Sequence, residues 1–285
     1  MTARLPDPLP SPTAWQARLD LGFERRGAEI ILARREHFGP LRIQKALHPE
    51  GPGLCHAIVL HPPAGICGGD RLQIGIDVGA GAQALLTTPG AGKWYRSAGA
   101  MAEQVVSIIV SAGGTAEWLP QESIVFDAAR ARMRTTVDLA EGARYLGVET
   151  LCLGRRASGE TFGRGALHLA TDIRLNGVPL WHERGRIDGG SALLHSPIGL
   201  AGFTVCSTVL AAGMATPPET LAACRAASPD EAGAQWGVSA LPQVFVARYL
   251  GHSAEAARLW FIDLWQHLRP VFVGRDMAVP RIWNT

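Results

Sequence analysis

Hydrophobic and polar residues alternate along most of the first two-thirds of the chain. Apolar side chains, with threonine at 135 and 171, occupy every second position over 72–78, 133–139 and 167–175. A period of two is typical of strands that bury one face and leave the other in water. The pattern therefore predicts a body built mainly of β-strands.

Glycines mark the ends of the predicted strands. Gly81, Gly113 and Gly142 each follow one apolar run and precede another, at similar intervals. Glycine supplies the positive φ of tight turns, and a repeat of this length is typical of stacked or coiled β-architectures. Asn176-Gly177 adds a hairpin signal. We expect either a β-solenoid-like body or a stacked antiparallel one.

The last third of the chain has a different pattern. Thr216 and Glu219 are spaced as a capping box, which predicts that a helix begins there. Ser253 is placed to cap a second helix, which Pro270 is expected to end, and residues 244–250 between the two helices resemble a strand. The sequence thus predicts a mainly β fold with about two α-helices in the C-terminal third.

Composition narrows the class of protein. The 285 residues carry a formal charge of only +2, which does not favour a nucleic-acid partner. No apolar run is long enough to span a membrane, and no secretory signal is visible. The five cysteines are odd in number and scattered, as in a protein of a reducing compartment, so we expect a cytoplasmic location. We expect a flexible, proline-rich tail over 1–13 and a single domain over 14–285.

One segment has metal-binding side chains close together in sequence. Cys55, His56, His61 and Cys67 could offer thiolate and imidazole ligands to nickel or zinc. Their spacing is not that of a zinc finger, and alternation directs Cys55 and His56 to opposite faces of a strand. A buried cysteine beside ordinary histidines is the favoured alternative.

Motifs for catalysis are incomplete. Residues 89–93 (PGAGK) resemble a phosphate-binding loop, but Thr87 and Trp94 stand where glycine and a hydroxyl residue are required. His182-Glu183-Arg184 does not continue as a zinc-protease motif. The residues alone therefore show no recognisable catalytic motif.

Three arginines lie at alternate positions of one predicted strand. Arg130, Arg132 and Arg134 would line one solvated face, either as a charged edge that blocks aggregation or as a docking strip for an acidic partner.

Residues 61–72 (HPPAGICGGDRL) closely resemble the proline-glycine-glycine-aspartate signature of the UreD family of urease accessory proteins. Further similar segments follow in order at 81–89, 93–97, 117–122, 126–127, 153–155, 158–160, 247–251, 268–270 and 280–283. The resemblance runs from about residue 15 to the end. Ala64 and Cys67 depart from the family pattern, in which glycine and an aliphatic residue are usual.

The resemblance implies a function as well as a fold. UreD-like proteins are β-rich scaffolds that bind apo-urease (UreABC) and UreF, which recruits the GTPase UreG, and the complex places nickel in urease. The resemblance therefore implies a protein without catalytic activity of its own and without a tightly bound cofactor, with nickel passing transiently. A stand-alone nickel or zinc carrier and a carbohydrate-active enzyme on a β-solenoid are the alternatives.

Two sets of candidate residues follow from their positions near the family motifs. An internal polar passage for nickel would use carboxylates at Asp70, Glu122, Asp127, Glu149 and Glu183. Partner binding would use Lys93, Trp94, Tyr95, Arg96, Arg130, Arg132 and Arg134.

Overall fold

A computed structural model describes residues 14–284, so the tail expected over 1–13 lies outside the described residues. In chain order the strands are β1 (Gln16–Arg26), β2 (Glu29–Phe38), β3 (Arg42–Ile43), β4 (Cys55–Leu60), β5 (Arg71–Val78), β6 (Gln83–Thr87), β7 (Gly92–Trp94), β8 (Ala102–Val110), β9 (Thr115–Leu119), β10 (Ser123–Val125), β11 (Arg130–Leu139), β12 (Arg144–Leu153), β13 (Ala166–Leu175), β14 (Val178–Asp188), β15 (Val205–Ala212), β16 (Gln235–Leu241) and β17 (Val244–Gly251). The α-helices are α1 (Pro218–Ala226) and α2 (Ala254–Phe272), and short 3-10 turns span Arg156–Ser158, Ala192–Leu194 and Arg281–Asn284.

The strands form two sheets that share one apolar core. A seven-stranded sheet has the order β14-β13-β11-β8-β5-β1-β2, and a ten-stranded sheet has β16-β17-β15-β12-β9-β6-β4-β3 as its main path. From β4 to β13 the chain passes back and forth between the sheets, and neighbouring coils pair in parallel, as β5 does with β8 and β6 with β9. The predicted mainly β fold is confirmed, and its solenoid-like form is the one observed.

The glycine turns stack on one another as the coils do. Gly81, Gly113 and Gly142 all have positive φ. The Gly81 N–H donates to the carbonyl of Ala112, and the Gly113 N–H donates to the carbonyl of Glu141. Each of these two turns therefore donates a backbone hydrogen bond to the turn of the next coil. Because the turns stack in this way, the glycines recur once per coil.

The expected hairpin is also present. Asn176 and Gly177 both adopt positive φ in the turn between β13 and β14, which pair antiparallel. This geometry is that of the two-residue turn that Asn-Gly favours.

The second helix begins as predicted but ends later. The Ser253 side chain accepts from the Ala256 N–H and caps α2. The expectation that Pro270 ends the helix is wrong, since α2 continues to Phe272. The side chain of Phe272 is fully buried, and the Val273 N–H donates to the Arg269 carbonyl, so packing and this bond hold the last turn.

Two other predictions are wrong. The capping box at Thr216 does not form, because α1 starts at Pro218 after Pro217, without a side-chain cap. Of the two interpretations of Arg130, Arg132 and Arg134, the charged edge is wrong, since β11 lies between β8 and β13 in the seven-stranded sheet. A coiled chain adds a new strand beside each old one, so β11 could not remain an edge. The docking strip stays a prediction.

Helix α2 covers the outer face of the ten-stranded sheet and joins it through buried charges. Arg269 is fully buried and donates to the carboxylates of Glu117 on β9 and Glu50. Trp265 Nε1 donates to Glu117 at 2.8 Å, and His56 Nε2 lies 2.7 Å from Glu50 Oε1. Each buried charge in this network therefore has a hydrogen-bonded partner, which offsets the free-energy cost of removing the charge from water.

Candidate functional site

A cavity of about 700 Å³ lies between the two sheets. Ile74, Met133 and Leu169 line it from the seven-stranded sheet, and Tyr145 and Leu210 line it from the ten-stranded sheet. These side chains are the inward members of the alternating strands, so the cavity is a part of the core that the apolar side chains do not fill.

One region of the cavity wall is polar. Glu149 of β12 pairs in register with Thr208 of β15, which pairs in turn with Arg248 of β17. Directly opposite residues in a sheet point to the same face, so these three side chains form a row across three strands. All three line the cavity.

The facing sheet contributes a second carboxylate. Glu183 of β14 lies opposite Thr171 of β13, and both line the cavity. Arg248 Nη2 donates to Glu183 Oε1 at 2.7 Å, which joins the two sheets by a side-chain ion pair. The side chains of Arg248 and Glu183 are 50% and 30% exposed, so this pair lies where the cavity meets solvent.

Glu149 differs from Glu183 in having no counter-ion. Within residues 14–284 its backbone pairs in the sheet, but its carboxylate forms no hydrogen bond and no ion pair. Burial, and to a lesser extent the Glu183 carboxylate, raises the pKa of Glu149 to about 7. The raised pKa means that Glu149 keeps its proton to a higher pH than an exposed carboxylate does.

A thiol lies in the same region. Cys206 of β15 lines the cavity and shares its wall with Glu149 and Arg248. Burial raises the pKa of Cys206 to about 12, with Glu149 and Glu183 adding to the rise and Arg248 opposing it. The group is thus a neutral thiol, a weaker ligand than a thiolate. The sequence did not single out Cys206 or Arg248 as site residues.

The other three carboxylates expected in a passage lie outside the cavity lining. Asp70 is buried and accepts from the backbone N–H groups of Trp15 and Cys67, which fixes the loop before β5. Asp127 pairs with Arg164 at 2.7 Å, and hydrogen bonding to that arginine holds the pKa of Asp127 below its usual range. Glu122 lines a small separate pocket.

The four candidate metal ligands do not come together. Cys55 and His56 are both buried, Cys55 in the core between the sheets and His56 beside Glu50. His61 lines the cavity with a buried Nε2 that has no partner among the described residues, whereas Cys67 is exposed. Over 14–284, no three or more His, Cys, Asp and Glu side chains are grouped so as to hold a metal ion.

The candidate residues for partner binding differ in how far their side chains are exposed. Trp94 is 1% exposed and packs in the core, so in this conformation its indole has no surface to offer a partner. Its neighbours Lys93 and Arg96 are exposed, and Tyr95 packs edge-on against Phe126.

The three arginines of β11 share the outer face of the seven-stranded sheet. Arg132 lies 3.5 Å from Glu103 and Arg134 lies 3.7 Å from Asp172, so both have acidic neighbours. Arg130 is exposed. The face therefore keeps a cationic row with part of its charge balanced.

The two sheets of coiled strands and the cavity between them define the class as a β-solenoid-like protein with polar side chains in an internal cavity. The sequence model of the family described as UreD urease accessory protein matches residues 16–284. The chain therefore belongs to the UreD family of urease accessory proteins. Within the described part of the chain, no helix has the length and apolar character needed to cross a membrane.

Individual relatives agree over nearly the full length. The chain is 56% identical to the urease accessory protein UreD of Dechloromonas aromatica (strain RCB), with 100% of each chain covered. It is 55% identical to that of Azoarcus sp. (strain BH72) over 95% of this chain and 94% of the relative. The identity to UreD of Janthinobacterium sp. (strain Marseille) is 51%, over 95% and 92%.

Proposed function

We propose that this protein acts in urease maturation as a non-catalytic scaffold that binds apo-urease and UreF. The GTPase UreG would join through UreF and supply the hydrolysis that drives nickel insertion. Membership in the UreD family, matched from residue 16 to residue 284, supports a role in urease maturation. The partners beyond urease follow from the resemblance of the motifs.

The cavity is the part of the scaffold through which nickel would pass. The observation that carries this step is that Glu149 and Glu183, from different sheets, line one cavity. Carboxylates attract a divalent cation, but two of them without a third close ligand hold it weakly. Weak binding suits a passage, because the nickel ion must be released again to the next protein.

The remaining surfaces would serve the partners. The cationic row of β11 would offer a docking surface for acidic segments, and Lys93 and Arg96 are further exposed cations that could contact a partner. The free cysteines of the described chain suit a reducing compartment, so we place the protein in the cytoplasm. Nickel would be cargo, with no cofactor held tightly.

Deletion of the gene in a urease-positive host, with nickel supplied, tests the proposal. Urease protein should remain abundant but inactive, and plasmid-borne wild-type chain should restore activity. The tagged chain should also co-purify with apo-urease and UreF from the complemented strain. Fully active, nickel-loaded urease in the deletion strain at ordinary nickel supply would refute the proposed role.

A further inference from the structure

Arg248 is a cation paired with one of the two carboxylates that line the cavity, Glu183. Its guanidinium donates to Glu183, and it lies on the same sheet face as Glu149, one strand beyond Thr208. Carboxylates in a partly buried wall need a nearby positive charge, because an unpaired buried charge is costly. Arg248 provides that charge for Glu183.

The same ion pair joins two strands that share no backbone hydrogen bonds. β14 belongs to the seven-stranded sheet and β17 to the ten-stranded sheet, and the two strands share no ladder. Glu183 also accepts from Trp181 Nε1 at 3.2 Å, and the Arg248 guanidinium lies 6.0 Å from the centre of the Trp181 ring. Trp181 therefore holds the Glu183 side chain in place by a hydrogen bond. Its ring can also bind the Arg248 guanidinium by a cation–π contact if the ion pair opens.

We propose that Arg248 is a displaceable latch, whose ion pair with Glu183 closes the cavity until an entering cation replaces the guanidinium. The proposal rests on the proposed function only for the identity of that cation, nickel. An exposed ion pair of this kind stabilises the closed form modestly, so opening is reversible. The arriving Ni²⁺ binds the Glu183 carboxylate in place of the guanidinium, and the hydrogen bond from Arg248 to Glu183 breaks while no covalent bond changes.

Closure of the cavity can be measured in the absence of metal through the reactivity of the Cys206 thiol. Modification by a small maleimide is followed at the Cys206 peptide by mass spectrometry, in the full-length protein, for Arg248→Met and for Glu183→Gln. A latch predicts faster modification in both variants, by about 2- to 5-fold for a contact worth up to about 1 kcal/mol. Arg186→Met is the matched control, since Arg186 pairs with Asp188 on the same strand and does not line the cavity.

Electrostatics alone predicts a different pattern. Arg248 lowers the pKa of Cys206 and Glu183 raises it, so without a latch Arg248→Met would slow modification and Glu183→Gln would speed it. Opposite changes in the two variants, or rates equal to the Arg186→Met control, would overturn the latch. Circular dichroism of each variant checks that faster modification does not come from unfolding.

A second readout separates the latch from the passage. Urease nickel content is measured in cells that carry Glu149→Gln, which leaves the Arg248–Glu183 pair in place. If both latch variants are modified faster and Glu149→Gln lowers nickel content, the latch and the passage both stand. Faster modification with normal nickel content in Glu149→Gln would keep the latch and reject the passage.

Discussion

Arg269 of α2 and Glu117 of β9 form an ion pair in which both side chains are entirely excluded from solvent. Glu50 completes the site at 2.7 Å from Arg269 Nη1. The pair joins the C-terminal helix to the middle of the ten-stranded sheet, far apart in sequence, and so ties the last secondary structure element to the coiled body.

Removing the arginine should weaken the fold strongly. Arg269→Met leaves Glu117 buried without a counter-ion, and breaking such a pair costs about 3–5 kcal/mol of unfolding free energy. Urea denaturation followed by tryptophan fluorescence measures the change. Arg26→Met, which breaks an exposed pair with Glu24, is the control and should cost less than about 1 kcal/mol. Equal losses in the two variants would contradict the role of the buried network.

Acid should destabilise the protein through Glu50. Burial alone would raise the pKa of Glu50, but hydrogen bonds from His56 and Arg269 outweigh it and lower the pKa from 4.5 to about 2. The stability that this carboxylate contributes is complete above pH 4.5 and is lost as pH falls toward 2, up to about 3 kcal/mol. Glu50→Gln should lose part of its unfolding free energy at neutral pH and show a flatter decline below pH 4.5. An unchanged acid profile in Glu50→Gln would count against this assignment.

Glu149 should have the opposite pH dependence. Its pKa is raised from 4.5 to about 7, so the folded state binds its proton more tightly than the unfolded state does. The stability from this group is complete below pH 4.5 and is lost as pH rises through 7, up to about 3 kcal/mol. Glu149→Gln should therefore be more stable than the wild-type chain at pH 8, and equally stable near pH 4. Thermal unfolding at the two pH values makes the comparison, and a Glu149→Gln chain less stable at pH 8 would contradict it.

Two neighbouring residues should differ sharply when truncated. Trp94 is buried in the core, so Trp94→Ala should cost about 3–5 kcal/mol of unfolding free energy. Lys93 is exposed, and Lys93→Ala should change stability by less than about 0.5 kcal/mol. Urea denaturation measures both. Weaker binding of a partner by Lys93→Ala at unchanged stability would support the docking role of Lys93.

Much of the fold could be predicted from the sequence, because its signals are local. Alternation showed the strands, Gly81, Gly113 and Gly142 showed the stacked turns, and Ser253 showed the start of α2. The local rules failed at Pro270, where the burial of Phe272 outweighed the cost of a proline in the last turn.

The site was less predictable, since it depends on which strands face each other. Glu149 and Glu183 were proposed from nearby motifs, as were Asp70, Glu122 and Asp127, and only the fold shows which of them line the cavity. Arg248 and Cys206 enter the site through the antiparallel pairing of β15 with β12 and β17. No spacing in the sequence indicates that register.

We propose that the carboxylates of the cavity carry nickel to urease. The most direct measurement is the nickel content of urease purified from a deletion strain complemented with the Glu149→Gln/Glu183→Gln double variant. Asp138→Asn is the control, because Asp138 pairs with Arg174 on the outer face of the body. We expect the double variant still to co-purify with apo-urease while the urease holds much less nickel than in the control. Urease loaded with nickel to the wild-type level in the double variant would contradict the account.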